Sequence, residues 1–352
     1  MAGAKTEAVQ ISDTDWMVIK KFKNGLVEKR LVKDKIDIWL IGNTGMRNPW
    51  RIPEGFKIYA ESGQVGHIRT PTEQIAFKRL LAEKGVIGGD PNKDKDASIT
   101  RKYRLVFGKY GFTYPEITSK DGFAQEELGP VDTITPLGML FYNAKTRAMQ
   151  QECFLRGLMV PMERIDARTS FSPFLWTLQI MLKLYDIVRD YRINFIEFAV
   201  CVQTSNPLSN ISDVCNRILE IRNNRRNADD VEAFDEALIH DEWTHYCKDE
   251  KNFREYADMN IRYLKTTGLI KEAGNGITLD PQYLPLIQSI SKKALSHKSL
   301  KDRYIELCNG APLVIVPDED EKKGTQYNIP APQIAKAAER SVEYSAVKDG
   351  EE

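Results

Sequence analysis

Residues 253 to 283 hold the pattern that most restricts the fold. Phe253 to Thr267 places Tyr256, Ala257, Asn260, Ile261 and Leu264 on one face of a helix, and Thr267-Gly268 stops it. Two short apolar runs follow, Leu269-Ile270 and Ile277-Thr278-Leu279, on either side of Gly274-Asn275-Gly276, a strong hairpin turn signal. Asp280-Pro281 ends the second run, and a last helix begins at Tyr283. Helix, tight turn, hairpin and closing helix is the order of a winged helix.

The same order occurs once earlier. Thr70-Pro71-Thr72-Glu73 supplies an N-cap, a proline in the first turn and a glutamate at the capping-box position. Ile75, Ala76, Arg79 and Leu80 recur at helical spacing until Gly85 closes the helix. A polar loop spans Gly88 to Ala97, and a second helix starts at Ser98 or Thr100, carrying Arg101, Lys102 and Arg104 beside Tyr103, Leu105, Val106 and Phe107. Tyr110 to Thr113 and Val131 to Gly138 then read as the two wing strands, and Met139 to Met149 as a helix. The expected fold is α+β and mostly helical, with tandem winged-helix-like subdomains bearing short β-wings. Residues 1–35 form an N-terminal extension, 36–150 the first subdomain, 151–305 the second and 306–352 a linker or tail.

Between the two units, Ser172-Pro173 caps an apolar helix from Phe174 to Leu184, and Asn194 to Glu197 offers another capping box. Ile211, Val214, Cys215, Ile218 and Leu219 mark an amphipathic helix that runs out into Arg222-Asn223-Asn224-Arg225-Arg226-Asn227. At least one of these arginines is expected to bond the last carbonyls and complement the helix dipole. The others, with Arg222 and Arg225 as candidates, are left for phosphate.

Trp39 to Arg51 is a corner. The apolar run Ile36 to Ile41 reads as a buried strand, after which Gly42, Gly45 and Pro49 favour irregular backbone. Asn43, Thr44 and Asn48 can bond neighbouring main-chain groups in place of a ladder. Arg47 and Arg51, with Asn48 between them, form a forked donor set suited to phosphate oxygens or guanine edges, and the amide suits adenine. The same arginines would also serve in a loop paired with surface carboxylates.

Gly42-Asn43-Thr44, Arg47-Asn48-Pro49 and Arg51-Ile52 resemble the opening motif of the AlwI restriction endonuclease family of type IIS restriction and nicking enzymes. The resemblance runs from about Ile36 to about Leu313. It implies a DNA-recognition part, followed in that family by a nuclease part of the PD-(D/E)xK type. The implied partner is double-stranded DNA with an asymmetric site, together with a nuclease domain or subunit that would use Mg2+. On that reading Arg47, Asn48 and Arg51 of the corner, Arg101, Lys102 and Arg104 of the first basic helix, and Asn260, Arg262 and Lys265 of the second are the candidate DNA contacts.

Net charge is zero, with fifty basic and fifty acidic residues, so composition does not advertise a nucleic-acid partner. The charges are clustered, however. Lys20 to Lys35, Arg222 to Arg226 and Lys292 to Arg303 are basic, and Asp229 to Asp241 is acidic. No apolar run reaches membrane-spanning length and Met1 to Gln10 lacks the apolar segment of a secretory signal, so a cytoplasmic protein is expected. Five scattered cysteines fit a reducing compartment and no disulfide framework.

No catalytic centre or metal site is expected in this chain. Asp318-Glu319-Asp320-Glu321-Lys322-Lys323 contains Glu-x-Lys but lacks the intervening strand that would set two carboxylates around one metal. Gly42 and Gly45 lack the lysine and hydroxyl of a phosphate loop, and His240 and His245 have no partners at metal-ligand spacing. Three readings stay open: the recognition part or subunit of a type IIS enzyme, a tandem winged-helix transcription-type protein unrelated to cleavage, and a chain that itself cuts DNA through an unrecognised site.

Overall fold

Side-chain capping by Thr70, Thr135 and Thr146 sets where three helices of the first half begin. The computed structural model describes residues 38–43, 45–88, 97–166, 168–292 and 294–313. The 1–35 extension with its Lys20 to Lys35 run, most of the loop after Gly88 and the Asp318 to Lys323 string lie outside them. A 3₁₀ turn, Pro49–Arg51, leads into α1 (Ile52–Glu61), which buries Ile52, Phe56 and Tyr59. In α2 (Pro71–Glu83) the capping box forms as expected. Thr70 Oγ1 accepts from the Glu73 amide at 3.4 Å, and Glu73 Oε2 accepts from the Thr70 amide at 2.8 Å. In α3 (Ser98–Lys109), Tyr103, Val106 and Phe107 face the core.

The first wing is almost absent. Thr113 and Ile134 make a single antiparallel bridge, and Val131 to Gly138 is not a strand. Thr135 instead caps α4 (Pro136–Asn143), its Oγ1 accepting from the Gly138 amide at 2.9 Å. Helix initiation at Thr-Pro therefore ends the second strand before it can extend. The single helix expected from Met139 to Met149 is two helices. Ala144 is extended and Thr146 caps α5 (Arg147–Leu158). The boundary expected after residue 150 consequently falls inside α5.

In the second half, two-residue strands alternate with longer helices. These are β1 (Glu163–Arg164), β2 (Ser170–Phe171), α6 (Pro173–Val188) and β3 (Ile193–Asn194). The short helix α7 (Phe195–Glu197) continues into a π-helical turn, Phe198–Val202. Then come α8 (Ile211–Arg226), α9 (Val231–Trp243), α10 (Glu250–Leu264), β4 (Ile270–Ala273), β5 (Gly276–Leu279), α11 (Leu284–Ser291), β6 (Leu295–Ser296) and α12 (Leu300–Asn309). Ser172 and Asn194 cap α6 and α7, and the hairpin β4–β5 turns at Gly274-Asn275, as their sequences require.

Among the described residues two antiparallel three-stranded sheets result, in the orders β1-β2-β6 and β3-β5-β4. The hairpin is thus covered by a third strand, with Ile193 opposite Ile277 and Asn194 opposite Gly276. Only glycine fits at that last position, because a Cβ on Gly276 would lie 2.1 Å from the Ile193 carbonyl oxygen. The tail expected from residue 306 begins inside α12. Beyond that helix the Ala311 carbonyl accepts from Arg156 Nη1 at 3.0 Å. One hydrophobic cluster extends from Trp39 to Ala311 through both halves, so the fold is mostly helical α+β around a shared core. Among the described residues no helix is long and apolar enough to cross a membrane.

Candidate nucleic-acid interface

The corner is held from below by two side chains of α10 and by Tyr110 at the end of α3. Residues 38–41 do not join a sheet. The Ile41 amide donates to Asn260 Oδ1 at 2.9 Å, and Asn260 Nδ2 donates to the Trp39 carbonyl at 3.2 Å. Tyr110 donates to the Ile41 carbonyl at 2.9 Å, and Tyr263 donates to the Met46 carbonyl at 2.8 Å. A side chain from α10 thus takes the place of the expected strand ladder at residues 38–41, the start of that run, Ile36 and Asp37, lying outside the described residues. Gly42 lies so close on the Tyr263 ring that a Cβ there would be 2.4 Å from it.

Within the corner, asparagines do what their sequence spacing implies. Asn43 Oδ1 accepts from the Gly45 amide at 2.8 Å, and Asn48 Oδ1 accepts from the Trp50 amide at 3.1 Å, capping the 3₁₀ turn. Thr44 is outside the described residues. Arg47, Asn48 and Arg51 are all exposed at the rim of this turn.

Two further cations join them. The Lys102 side chain lies against Gly45, where a Cβ would come within 2.2 Å of its Cε. The Arg147 guanidinium sits 3.4 Å over the Trp50 ring, whose edge packs on Phe154 at 5.7 Å between centroids. Arg51, Lys102 and Arg147 make no ion pair with any described residue. Arg47 pairs with Glu255 of α10. Arg147 was hidden from the sequence reading inside a supposedly continuous helix. Its signal was the Thr146-Arg147 helix start and the aromatic of Arg-Asn-Pro-Trp-Arg, half-buried here at Trp50. A cleft of about 470 Å³ opens beside the pair, lined by Trp50, Glu54, Lys57, Tyr142, Arg147 and Gln150 among others.

The other candidates are placed differently. Arg101 reaches Gln74 Oε1 at 3.3 Å. Arg104 donates its single Nε–H, bifurcated, to both oxygens of buried Asp132 at 2.9 and 2.8 Å, and bonds Glu116 from Nη2 at 2.9 Å. It therefore closes the single-bridge wing, and its hydrogen bond holds the Glu116 carboxyl below the ordinary range. Arg222 bonds Glu197 through Nε and Nη2 at 2.9 Å each and also reaches the Arg192 carbonyl. Arg225 is bidentate to Asp235 at 3.0 and 2.9 Å. Both, expected to be left for phosphate, meet carboxylates that α7 and α9 bring within reach. Arg262 chelates Asp258 at 2.9 and 2.8 Å, and Lys265 bonds Glu272 at 2.9 Å.

Asn260 requires a correction. It is fully buried, with its amide donating and accepting inside the protein, so it cannot present an edge to an adenine. These carboxylate pairings also show how a neutral chain carries a local cationic rim: the acids are spent on other arginines. Among the described residues no three His, Cys, Asp or Glu side chains are grouped to hold a metal ion. Exposed His240 lies 3.6 Å from Glu250 and sets its ring edge-on to Trp243.

Comparisons with known proteins add the following. A model of the AlwI restriction endonuclease family matches residues 109–338, a stretch that starts at the end of α3 and leaves the corner outside. It overlaps the expected span, Ile36 to Leu313, over residues 109–313. No curated protein matches the chain. Among solved structures, the crystal structure of pyrene- and phenanthrene-modified DNA in complex with the BpuJ1 endonuclease binding domain is similar with a TM-score of 0.51 and 13% identity. That likeness covers 78% of this chain and 98% of that one, and it is a likeness of fold.

Proposed function

The chain belongs to the AlwI restriction endonuclease family, and from that premise we propose that it recognises a specific, asymmetric double-stranded DNA sequence for a type IIS restriction or nicking enzyme of the cytoplasm. The observation that carries this reading is the corner, where Arg47, Asn48, Arg51, Lys102 and Arg147 converge and only Arg47 is matched by a carboxylate. Arg51, Lys102 and Arg147 position the duplex through its phosphates, while Arg47 and Asn48 face base edges in the major groove. Arg101, at the neighbouring face of α3, extends the phosphate track.

The second, hairpin-bearing unit supplies Arg262 and Lys265 as further contacts. The two units function as unlike winged-helix-like readers, which removes any need for a two-fold symmetric site. Scission belongs to a nuclease domain or subunit that binds Mg2+.

Binding to a random-sequence duplex, followed by fluorescence anisotropy at several salt concentrations, tests the proposal. Affinity should fall steeply with salt, and an Arg51→Ala/Lys102→Ala/Arg147→Ala variant should lose about two to three units of the log–log slope. No binding at low salt, or an unchanged slope in the variant, would count against it. Incubation of the chain with Mg2+ and plasmid checks the assignment of scission, since cleavage that disappears on changing Asp318 or Glu321 would place the nuclease here.

A further inference from the structure

Resting on the reading of the corner as a DNA contact, we infer that Glu255 is a positioning residue that fixes the Arg47 guanidinium for one base pair. Arg47 sits in a loop with its side chain 55% exposed, so alone it would sample many rotamers. Glu255, from a helix more than two hundred residues away in sequence, accepts from Arg47 Nη2 and is itself only 21% exposed in its side chain.

The pairing engages one of the five guanidinium N–H donors and leaves four for another partner. A guanine edge takes two parallel N–H donors, and its discrimination depends on the angle at which the fork arrives. One turn along α10 the motif is repeated, with Asp258 chelating Arg262 through Nε at 2.9 and 2.8 Å and leaving both Nη groups open. Glu255 and Asp258 are three residues apart, hence on one side of the helix. The acids of α10 therefore aim arginines.

A simpler role predicts the opposite sign. If Glu255 only repelled phosphate, its neutralisation would strengthen every sequence alike.

The test uses the full chain as wild type, Glu255→Gln, Arg47→Ala and the double variant. Each is titrated with the duplex selected by the wild type and with duplexes changed at one base pair at a time. Arg47→Ala should lose about tenfold discrimination at one base pair. Glu255→Gln should lose about threefold to fivefold at that same pair, and nothing further in the Arg47→Ala background. The inference is overturned if Glu255→Gln leaves the discrimination profile intact, or raises affinity for all duplexes equally with and without Arg47. A wild type that binds no duplex would instead remove the DNA reading itself, so the two failures are distinguishable.

Discussion

Replacing Asn260 with leucine should unfold the account of the corner or confirm it. Leucine keeps roughly the volume of the side chain but offers neither an acceptor to the Ile41 amide nor a donor to the Trp39 carbonyl. Both backbone groups are covered, since Trp39 is 4% and Ile41 3% exposed, so water cannot replace the amide without opening the structure. Each buried group left unsatisfied costs about 1–3 kcal/mol, which gives about 2–6 kcal/mol for the pair. Urea denaturation followed by tryptophan fluorescence would show the midpoint falling at unchanged slope. DNA binding should weaken for all sequences together, because the loop that carries Arg47 and Arg51 loses its anchor on α10. The reasoning is refuted if Asn260→Leu is as stable as the wild type and loses discrimination at one A·T pair alone, which is what a base-reading amide would produce.

Three other outcomes are expected. Arg147→Ala should weaken random and selected duplexes by the same factor and lower the salt slope by about 0.9, whereas a sequence-dependent loss would make Arg147 a base reader. Gly42→Ala puts a methyl 2.4 Å from the Tyr263 ring and should cost about 1–3 kcal/mol of stability by overpacking, together with weaker DNA binding; a neutral result in thermal denaturation would contradict the close contact. Glu116, Glu127 and Glu272 are held below the ordinary carboxylate range by Arg104, Lys301 and Lys265. Their folded values lie below their unfolded ones, so their contribution is complete above the unfolded value of roughly 4.3 and is lost as pH falls through the folded values. Melting temperature should accordingly drop on acidification below about pH 5, and less steeply in Arg104→Gln.

Elements governed by local chemistry were legible in the sequence. The Thr70–Glu73 box, the Ser172-Pro173 and Asn194 caps, and the Gly274-Asn275-Gly276 turn each act within a few residues, and each forms as read. Pairings across long sequence separations were not. The strand β3 that covers the hairpin and all three strands of the sheet β1-β2-β6 are two residues long, too short to carry any periodicity.

The first wing shows two local signals in competition. Val131 to Gly138 has strand-like residues, but Thr135-Pro136 starts a helix within it. At the candidate site, the corner and its asparagine turns were readable because they are local, whereas the partners of its arginines were not. Arg104, Arg222 and Arg225 look as free in sequence as Arg51. Only the arrival of Asp132, Glu197 and Asp235 from other segments commits them. Asn260 illustrates the same point on an apolar face, where a polar residue at helical spacing signalled a buried bridge.

The central claim is that a cationic corner and a second, different unit read one non-palindromic duplex. Selection of bound duplexes from a fully random pool by the purified full chain, followed by sequencing, measures this directly. The account predicts enrichment of a single asymmetric motif, with the enrichment at one or more of its positions lost in Arg47→Ala. A pool that remains random after repeated rounds, or a palindromic motif indifferent to Arg47, would contradict it.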